Sequence, residues 1–181
     1  MLPLILTGHC LYELGTDFMK RLYIVRHAKS SWKTDLNDFN RPLNKRGKKS
    51  APDMGERLKK LKVMPDLILS SPALRAITTA VIIAARLGYP EERIVTDEAI
   101  YGAGVDDLIE IVRRTDDSVD VLMIFGHNPG FTDLARTLTD EYIVNLPTCA
   151  VYCVDFDLDT WEQIDRGIGN CALYDFPRNA D

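Results

Sequence analysis

The segment Val119-Asp120-Val121-Leu122-Met123-Ile124-Phe125 carries a single charge and no polar alternation. A strand with one solvated face alternates apolar and polar residues, whereas a strand covered on both faces reads as a continuous apolar run. The segment therefore predicts a central strand with a layer of helices on each side. Shorter apolar runs at Leu22-Tyr23-Ile24-Val25, Leu67-Ile68-Leu69 and Ile94-Val95 predict further strands. Helical periods separate them: Ser50 to Lys62 with Ala51, Met54, Leu58 and Leu61 inward, Ala73 to Leu87 stopped by Gly88 and Pro90, Asp106 to Arg114, and Phe131 to Leu138. The tail differs. Thr148 to Phe156 and Thr160 to Asp165 flank an Asp-Leu-Asp turn and read as an antiparallel hairpin. Strands alternating with helices and then a hairpin predict an α/β fold, a three-layer sandwich with a mostly parallel central sheet and an antiparallel C-terminal hairpin at its edge.

At 181 residues the chain fits one domain, taken as residues 19–181. Residues 1–18 lack the cationic start and small-residue cleavage site of a signal peptide. They are read as a disordered arm or a mis-assigned start upstream of Met19, and His9 and Cys10 within them receive no chemistry. A net charge of −5 gives no global basic field, so nucleic acid is not an expected partner. No apolar stretch approaches the roughly 20 residues that span a bilayer. Cys10, Cys149, Cys153 and Cys171 lack paired CxxC spacing, which favours buried thiols and a cytoplasmic location. Three histidines without a ligand cluster imply no metal, and no cofactor is implied.

Three predicted strands end in related material. Arg26-His27 follows the first, Arg75 lies just inside the helix after the second, and His127 follows the Val119–Phe125 strand. Ligands of open α/β sheets bind at the carboxyl ends of strands. Each residue alone is also compatible with an ordinary surface position. If the strands are neighbours, two guanidiniums and two imidazoles meet, which is what a phosphoryl group requires: forked donors for its oxygens, one imidazole to attack phosphorus, and one to donate to the developing charge. Arg75 near a helix N-terminus is electrostatically unfavourable unless an anion sits beside it.

Arg26-His27-Ala28 resembles the Arg-His-Gly signature of the histidine phosphatase superfamily, also called phosphoglycerate mutase-like, with Ala28 in place of glycine. Ser70-Ser71-Pro72-Ala73-Leu74-Arg75-Ala76 with Thr79-Ala80 is similar to its second motif, and Gly126-His127-Asn128-Pro129 to its third. The resemblance implies that His27 is the nucleophile that becomes phosphorylated and that Arg26, Arg75 and His127 form a metal-free phosphate pocket. The short chain, Arg41-Pro42-Leu43 and Ile100-Tyr101 look most like the SixA-type phosphohistidine phosphatase branch.

Ser30 and Asn128 are further substrate-binding candidates, and Trp32 either lines the mouth of the site or caps the core. Many family members place an acidic residue between the third strand and the next helix to protonate the leaving group. Here that position falls near Gly102, and Asp97 and Glu98 are the nearby candidates, with a merely solvated turn pair as the alternative. Without a strong acid, an imidazole leaving group is easier to expel than an alkoxide. The expected substrate is therefore phosphohistidine or a similar P–N bond on a protein. The alternatives are a small-molecule phosphomonoesterase using Asp97 or Glu98, and a phosphate-binding module with little turnover. The expected partner is a phosphorylated protein or small phosphorylated molecule, met by a monomer. Arg41 to Lys62 holds nine Lys or Arg against two acidic residues, a field for acidic partners or a plain solvated face.

Overall fold

A computed structural model describes residues 10–11, 20–32 and 36–177. Seven strands form one sheet: β1 (Cys10–Leu11), β2 (Lys20–Arg26), β3 (Leu67–Ser70), β4 (Val95–Thr96), β5 (Val121–Gly126), β6 (Val151–Phe156) and β7 (Asn170–Asp175). Their order is β1-β7-β6-β2-β5-β3-β4. The strands β2, β5, β3 and β4 run parallel to their neighbours, and β6, β7 and β1 continue the sheet antiparallel from β2. The helices are α1 (Lys45–Lys60), α2 (Leu74–Leu87), α3 (Val105–Arg113) and α4 (Gly130–Thr139).

Both faces of the sheet are covered, as the unbroken apolar run requires. Leu22 and Ile24 of β2 and Leu122 and Ile124 of β5 pack with Leu108, Val112, Phe131 and Leu138 of α3 and α4. The alternate residues Tyr23, Val25, Met123 and Phe125 pack with Ala51, Met54, Leu58 and Ile83 of α1 and α2. Strand period two thus sends successive apolar side chains into two separate cores.

Three boundaries differ from the sequence expectations. Helix α1 starts at Lys45 rather than Ser50, capped by Asn44, whose side chain accepts from the Gly47 N–H at 3.0 Å. The extra turn carries no apolar periodicity because its inward residue is Gly47, which lies against the carbonyl of Lys29. Pro52 therefore sits inside the helix rather than in its first turn. The acceptor it forfeits is the carbonyl of Lys48, an exposed residue that water can reach. The second strand of the hairpin is Asn170–Asp175; residues 160–165 instead hold a 3₁₀ turn at Trp161–Gln163. Trp161 is buried in the α3–α4 core with its indole N–H on the Val119 carbonyl at 2.6 Å, so its apolar character reflects packing rather than pairing. Cys149 and Cys153 are buried in the α1–α2 core, Cys153 from β6 and Cys149 from the turn before it. β6 begins only at Val151, because Cys149 has the left-handed φ of 64°.

Within the stretch read as a disordered arm, Cys10–Leu11 pairs antiparallel with β7 as the outermost strand. An unpaired β7 edge offers a row of donors and acceptors that a short segment can fill. The rest of residues 1–19, with His9 and the start proposed at Met19, lies outside the described residues.

Candidate active site

The sheet order makes β2, β5 and β3 immediate neighbours, so the three motif-bearing strand ends open on one place. A cavity of about 320 Å³ there is lined by Arg26, His27, Lys29, Ser30, Trp32, Asp38, Arg41, Arg75, His127, Asn128 and Thr148. Arg26, His27, Arg75 and His127 are thus brought together, as are Ser30 and Asn128. Trp32 stands at the mouth, 76% exposed, with the Arg41 guanidinium stacked 3.5 Å from its ring centroid. Of the two readings of Trp32, it lines the mouth. Asp97 and Glu98 do not line the cavity: the Asp97 carboxylate caps the 3₁₀ turn Glu98–Ile100 by accepting from the Ala99 N–H at 2.8 Å, and Glu98 is exposed.

His27 is held by the sheet itself. Its N–H bonds the Gly126 carbonyl at the end of β5, and its carbonyl accepts from Cys149 just before β6. The imidazole Nδ1 lies 2.8 Å from the Ala28 carbonyl. A carbonyl can only accept, so Nδ1 carries the proton and Nε2 carries the lone pair. That lone pair faces the Arg75 Nε–H at 3.3 Å. Burial, then the charges of His127, Arg75 and Arg26, push the pKa of His27 down to about 3, overriding the Ala28 bond that acts the other way. The ring is therefore neutral and nucleophilic throughout the physiological range.

His127 lies with its ring centroid 5.1 Å from that of His27. Burial, followed by Arg75, lowers its pKa to about 4, while Asp38 works in the opposite direction. Its Nε2 pairs with the Ser71 hydroxyl at 2.9 Å, and its Nδ1 is buried without a hydrogen-bond partner. Arg26 donates to the Leu146 carbonyl at 2.6 Å, and the Asn128 amide donates to Leu146 and Asn145. The 145–148 connection thereby becomes one wall of the site.

Ala28, where glycine is usual, is fully buried and conventional in backbone; among described non-glycine residues positive φ falls on Lys62, Asp140 and Cys149. Its N–H donates to the Thr79 hydroxyl at 3.0 Å, and that hydroxyl donates to the Arg75 carbonyl at 2.6 Å. Thr79 therefore ties the turn that carries His27 to the first turns of α2.

Sequence reasoning gave no site role to Asp38, Arg41, Ser71 and Thr79, nor to the lining residues Lys29 and Thr148. Ser71 and Thr79 stand inside the second motif yet show their purpose only through contacts across the sheet end. Arg41 belongs to the basic stretch 41–62, read as a field for acidic partners or a solvated face, and to the Arg41-Pro42-Leu43 likeness, yet at 7% exposed it is buried at the site. The expected penalty of Arg75 in the first turn of α2 is met inside the chain, since its Nη2 pairs with the Asp38 carboxylate at 2.9 Å.

The model of the histidine phosphatase superfamily (branch 1) matches residues 22–101, which carry Arg26, His27 and Arg75. An uncharacterised chloroplastic protein of Arabidopsis thaliana is 31% identical over 158 residues, spanning 82% of this chain and 72% of its own. The chain belongs to the histidine phosphatase superfamily. Its activity class is accordingly phosphoryl transfer through a histidine, as in phosphatases and mutases. His127 falls beyond the matched stretch and reaches the site through β5. The fold is shared with a protein from Agrobacterium tumefaciens assigned as the phosphohistidine phosphatase SixA (TM-score 0.74, 24% identity, 88% of this chain and 99% of that one). It is shared also with the protein histidine phosphatase SixA solved with tungstate (TM-score 0.71, 23% identity, 83% and 93%).

Proposed function

We propose that this protein is a phosphatase that removes phosphoryl groups from phosphohistidine, or a similar P–N bond, on a protein surface. The observation that carries the reading is the tautomer of His27: Nδ1 is tied to Ala28, and a neutral Nε2 faces the cavity beside Arg75. In the first step the Nε2 lone pair forms a bond to phosphorus while the bond to the leaving nitrogen breaks, and that nitrogen takes a proton. In the second step water attacks the phosphohistidine, giving inorganic phosphate and returning the electron pair to Nε2. Arg26, Arg75 and His127 supply donors for the charge carried by the phosphoryl oxygens.

The leaving group follows from the acids within reach. Asp38 is the sole carboxylate among the described residues that line the cavity. Partial burial raises its pKa, but the Tyr101 hydroxyl and the charges of Arg75 and Arg41 outweigh that and hold it below the ordinary value. It stays ionised and cannot protonate an alkoxide at neutral pH. The Tyr101 hydroxyl donates to Asp38, which raises its own pKa. A leaving imidazole needs no such acid, since solvent protonates it. The likeness in fold to proteins named as SixA phosphohistidine phosphatases supports the same substrate class.

A cavity of about 320 Å³ also has the size of a small-ligand site, which keeps a small phosphomonoester in view. A kinetic panel separates the two readings: phosphohistidine peptide, aryl phosphate and sugar phosphates, each with wild type and His27→Ala. The expected result is turnover of the phosphohistidine peptide at least about 100-fold above the sugar phosphates, following the roughly 10²–10⁴-fold worth of a positioned general acid. Acid-labile, base-stable phosphate on His27 is expected in a quenched reaction. Equal turnover of the sugar phosphates overturns the substrate class, and activity surviving in His27→Ala overturns the nucleophile.

A further inference from the structure

Asp38 lies in the 3₁₀ turn Asp38–Asn40, within the connection between β2 and α1. Its Oδ1 accepts from Arg41 Nε at 2.9 Å and forms an ion pair with Arg41 Nη2, also at 2.9 Å. Its Oδ2 accepts from Arg75 Nη2 at 2.9 Å and from the Tyr101 hydroxyl at 2.8 Å. The Asp38 carbonyl takes a further donor, Arg75 Nη1, at 2.6 Å. A carboxylate offers about four acceptor positions; three donors and the Arg41 Nη2 ion pair occupy this one. Tyr101, from the connection between β4 and α3, is braced edge-on by Phe39 at 5.2 Å and packs against His127 at 5.5 Å.

The division of donors gives the carboxylate its purpose. Arg75 commits Nη1 and Nη2 to Asp38 and presents Nε at the nucleophile, 3.3 Å from His27 Nε2. Arg41 commits Nε and Nη2 to Asp38, and its buried Nη1, in a residue lining the cavity, has no hydrogen-bond partner. A buried, unpartnered guanidinium nitrogen is costly unless a ligand completes it. We propose that Asp38 is a positioning residue that ties Arg75 and Arg41 into one clamp, leaving Arg75 Nε and Arg41 Nη1 for the oxygens of the phosphoryl group. Tyr101 is the buttress that fixes the carboxylate. The assignment rests on the phosphoryl-pocket reading of the cavity.

A carboxylate between two arginines can instead act as a plug that substrate must displace. Displacement requires an anion to replace four side-chain contacts while the Asp38 carbonyl still anchors Arg75, and that geometry favours the clamp. The two roles differ in sign. Inorganic phosphate and tungstate are titrated calorimetrically into the full chain as wild type, Asp38→Asn and Tyr101→Phe, with melting curves and kcat and KM on an aryl phosphate.

The clamp predicts that Asp38→Asn weakens phosphate and tungstate about tenfold or more and lowers kcat/KM about 10–100-fold, because misplacing binding groups by about 1 Å costs up to about 100-fold. Tyr101→Phe moves both quantities the same way by a smaller factor. It decides the question if Asp38→Asn fails to fold. A purely structural role shifts the melting curve and leaves the affinity of the folded protein unchanged, which overturns the proposal. Phosphate bound more tightly by either variant also overturns it, in favour of a plug. Failure of wild type to bind either oxoanion removes the phosphoryl-pocket reading and the clamp with it, a result distinct from loss in the variants alone.

Discussion

Thr79→Val tests whether the nucleophile's turn is held by one hydroxyl. Thr79 is fully buried, and valine matches it in shape, so the substitution removes little beyond the oxygen. That oxygen accepts from the Ala28 N–H at 3.0 Å and donates to the Arg75 carbonyl at 2.6 Å. Ala28 is itself fully buried, so no water replaces the lost acceptor. Leaving a buried N–H unsatisfied costs about 1–3 kcal/mol. At about 2–4 °C per kcal/mol for a chain of this size, a loss of about 2 kcal/mol lowers the melting temperature by about 4–8 °C. Function should fall further than stability. The Ala28 carbonyl fixes the tautomer of His27, so a displaced Ala28 misdirects Nε2 and lowers kcat on an aryl phosphate by about 10–100-fold. Thr79→Ser is the control: it keeps both hydrogen bonds and loses one buried methyl, about 1 kcal/mol, with kcat near wild type. Denaturant unfolding and steady-state kinetics on the three proteins decide the matter. Wild-type stability and rate in Thr79→Val, or equal damage in Thr79→Ser, would refute the reasoning.

The histidines predict an acid-side loss of stability. His27 has its folded pKa depressed to about 3, so between an unfolded value near 6.5 and that value the unfolded chain binds the extra proton. Its contribution is present above pH 6.5 and is lost as pH falls, by about 2 kcal/mol between pH 7.5 and pH 5. Urea unfolding of wild type and His27→Asn at both pH values should show that extra loss in wild type alone; parallel curves contradict it. Gly47→Ala inverts a common rule. Alanine normally strengthens a helix by up to about 1 kcal/mol over glycine, yet a Cβ at Gly47 falls 2.2 Å from the Lys29 carbonyl oxygen. Overpacking against backbone costs about 1–3 kcal/mol, so a lower melting temperature is expected, with reduced activity because Lys29 lines the cavity. A melting temperature at or above wild type removes the argument.

The sequence made legible what depends on short-range pattern. The apolar run ending at Phe125 fixes a strand covered on both faces, and parallel neighbours place Arg26, His27, Arg75 and His127 at one end of the sheet. The parts that stayed hidden depend on contacts between distant segments. Asp38 is 37 residues from Arg75 and 63 from Tyr101, and in a polar stretch it looks like any loop acid. The signal for Arg41 was present: an arginine bracketed by Asn40 and by Pro42-Leu43, of which Leu43 is buried, stands apart from the exposed lysines that follow. Averaging it into a charge count erased that. Trp161 misled in the opposite direction, because burial from the helical side produces the same local pattern as a strand.

The arginines proposed to bind phosphate also act on His27. Arg26 and Arg75 both press the pKa of His27 downward, in addition to burial. A histidine on its own near neutrality is partly protonated and then has no lone pair to give. Positive charge around it removes that loss, so the cations that attract the dianion also keep Nε2 free to attack it. The same field opposes a second proton on His127, whose neutral ring already carries one N–H and donates from that nitrogen. Asp38 is the negative group that acts against that field at His127. Both imidazoles are held neutral, His27 at about 3 and His127 at about 4, and an arriving anion would act on His127 in the same upward direction as Asp38.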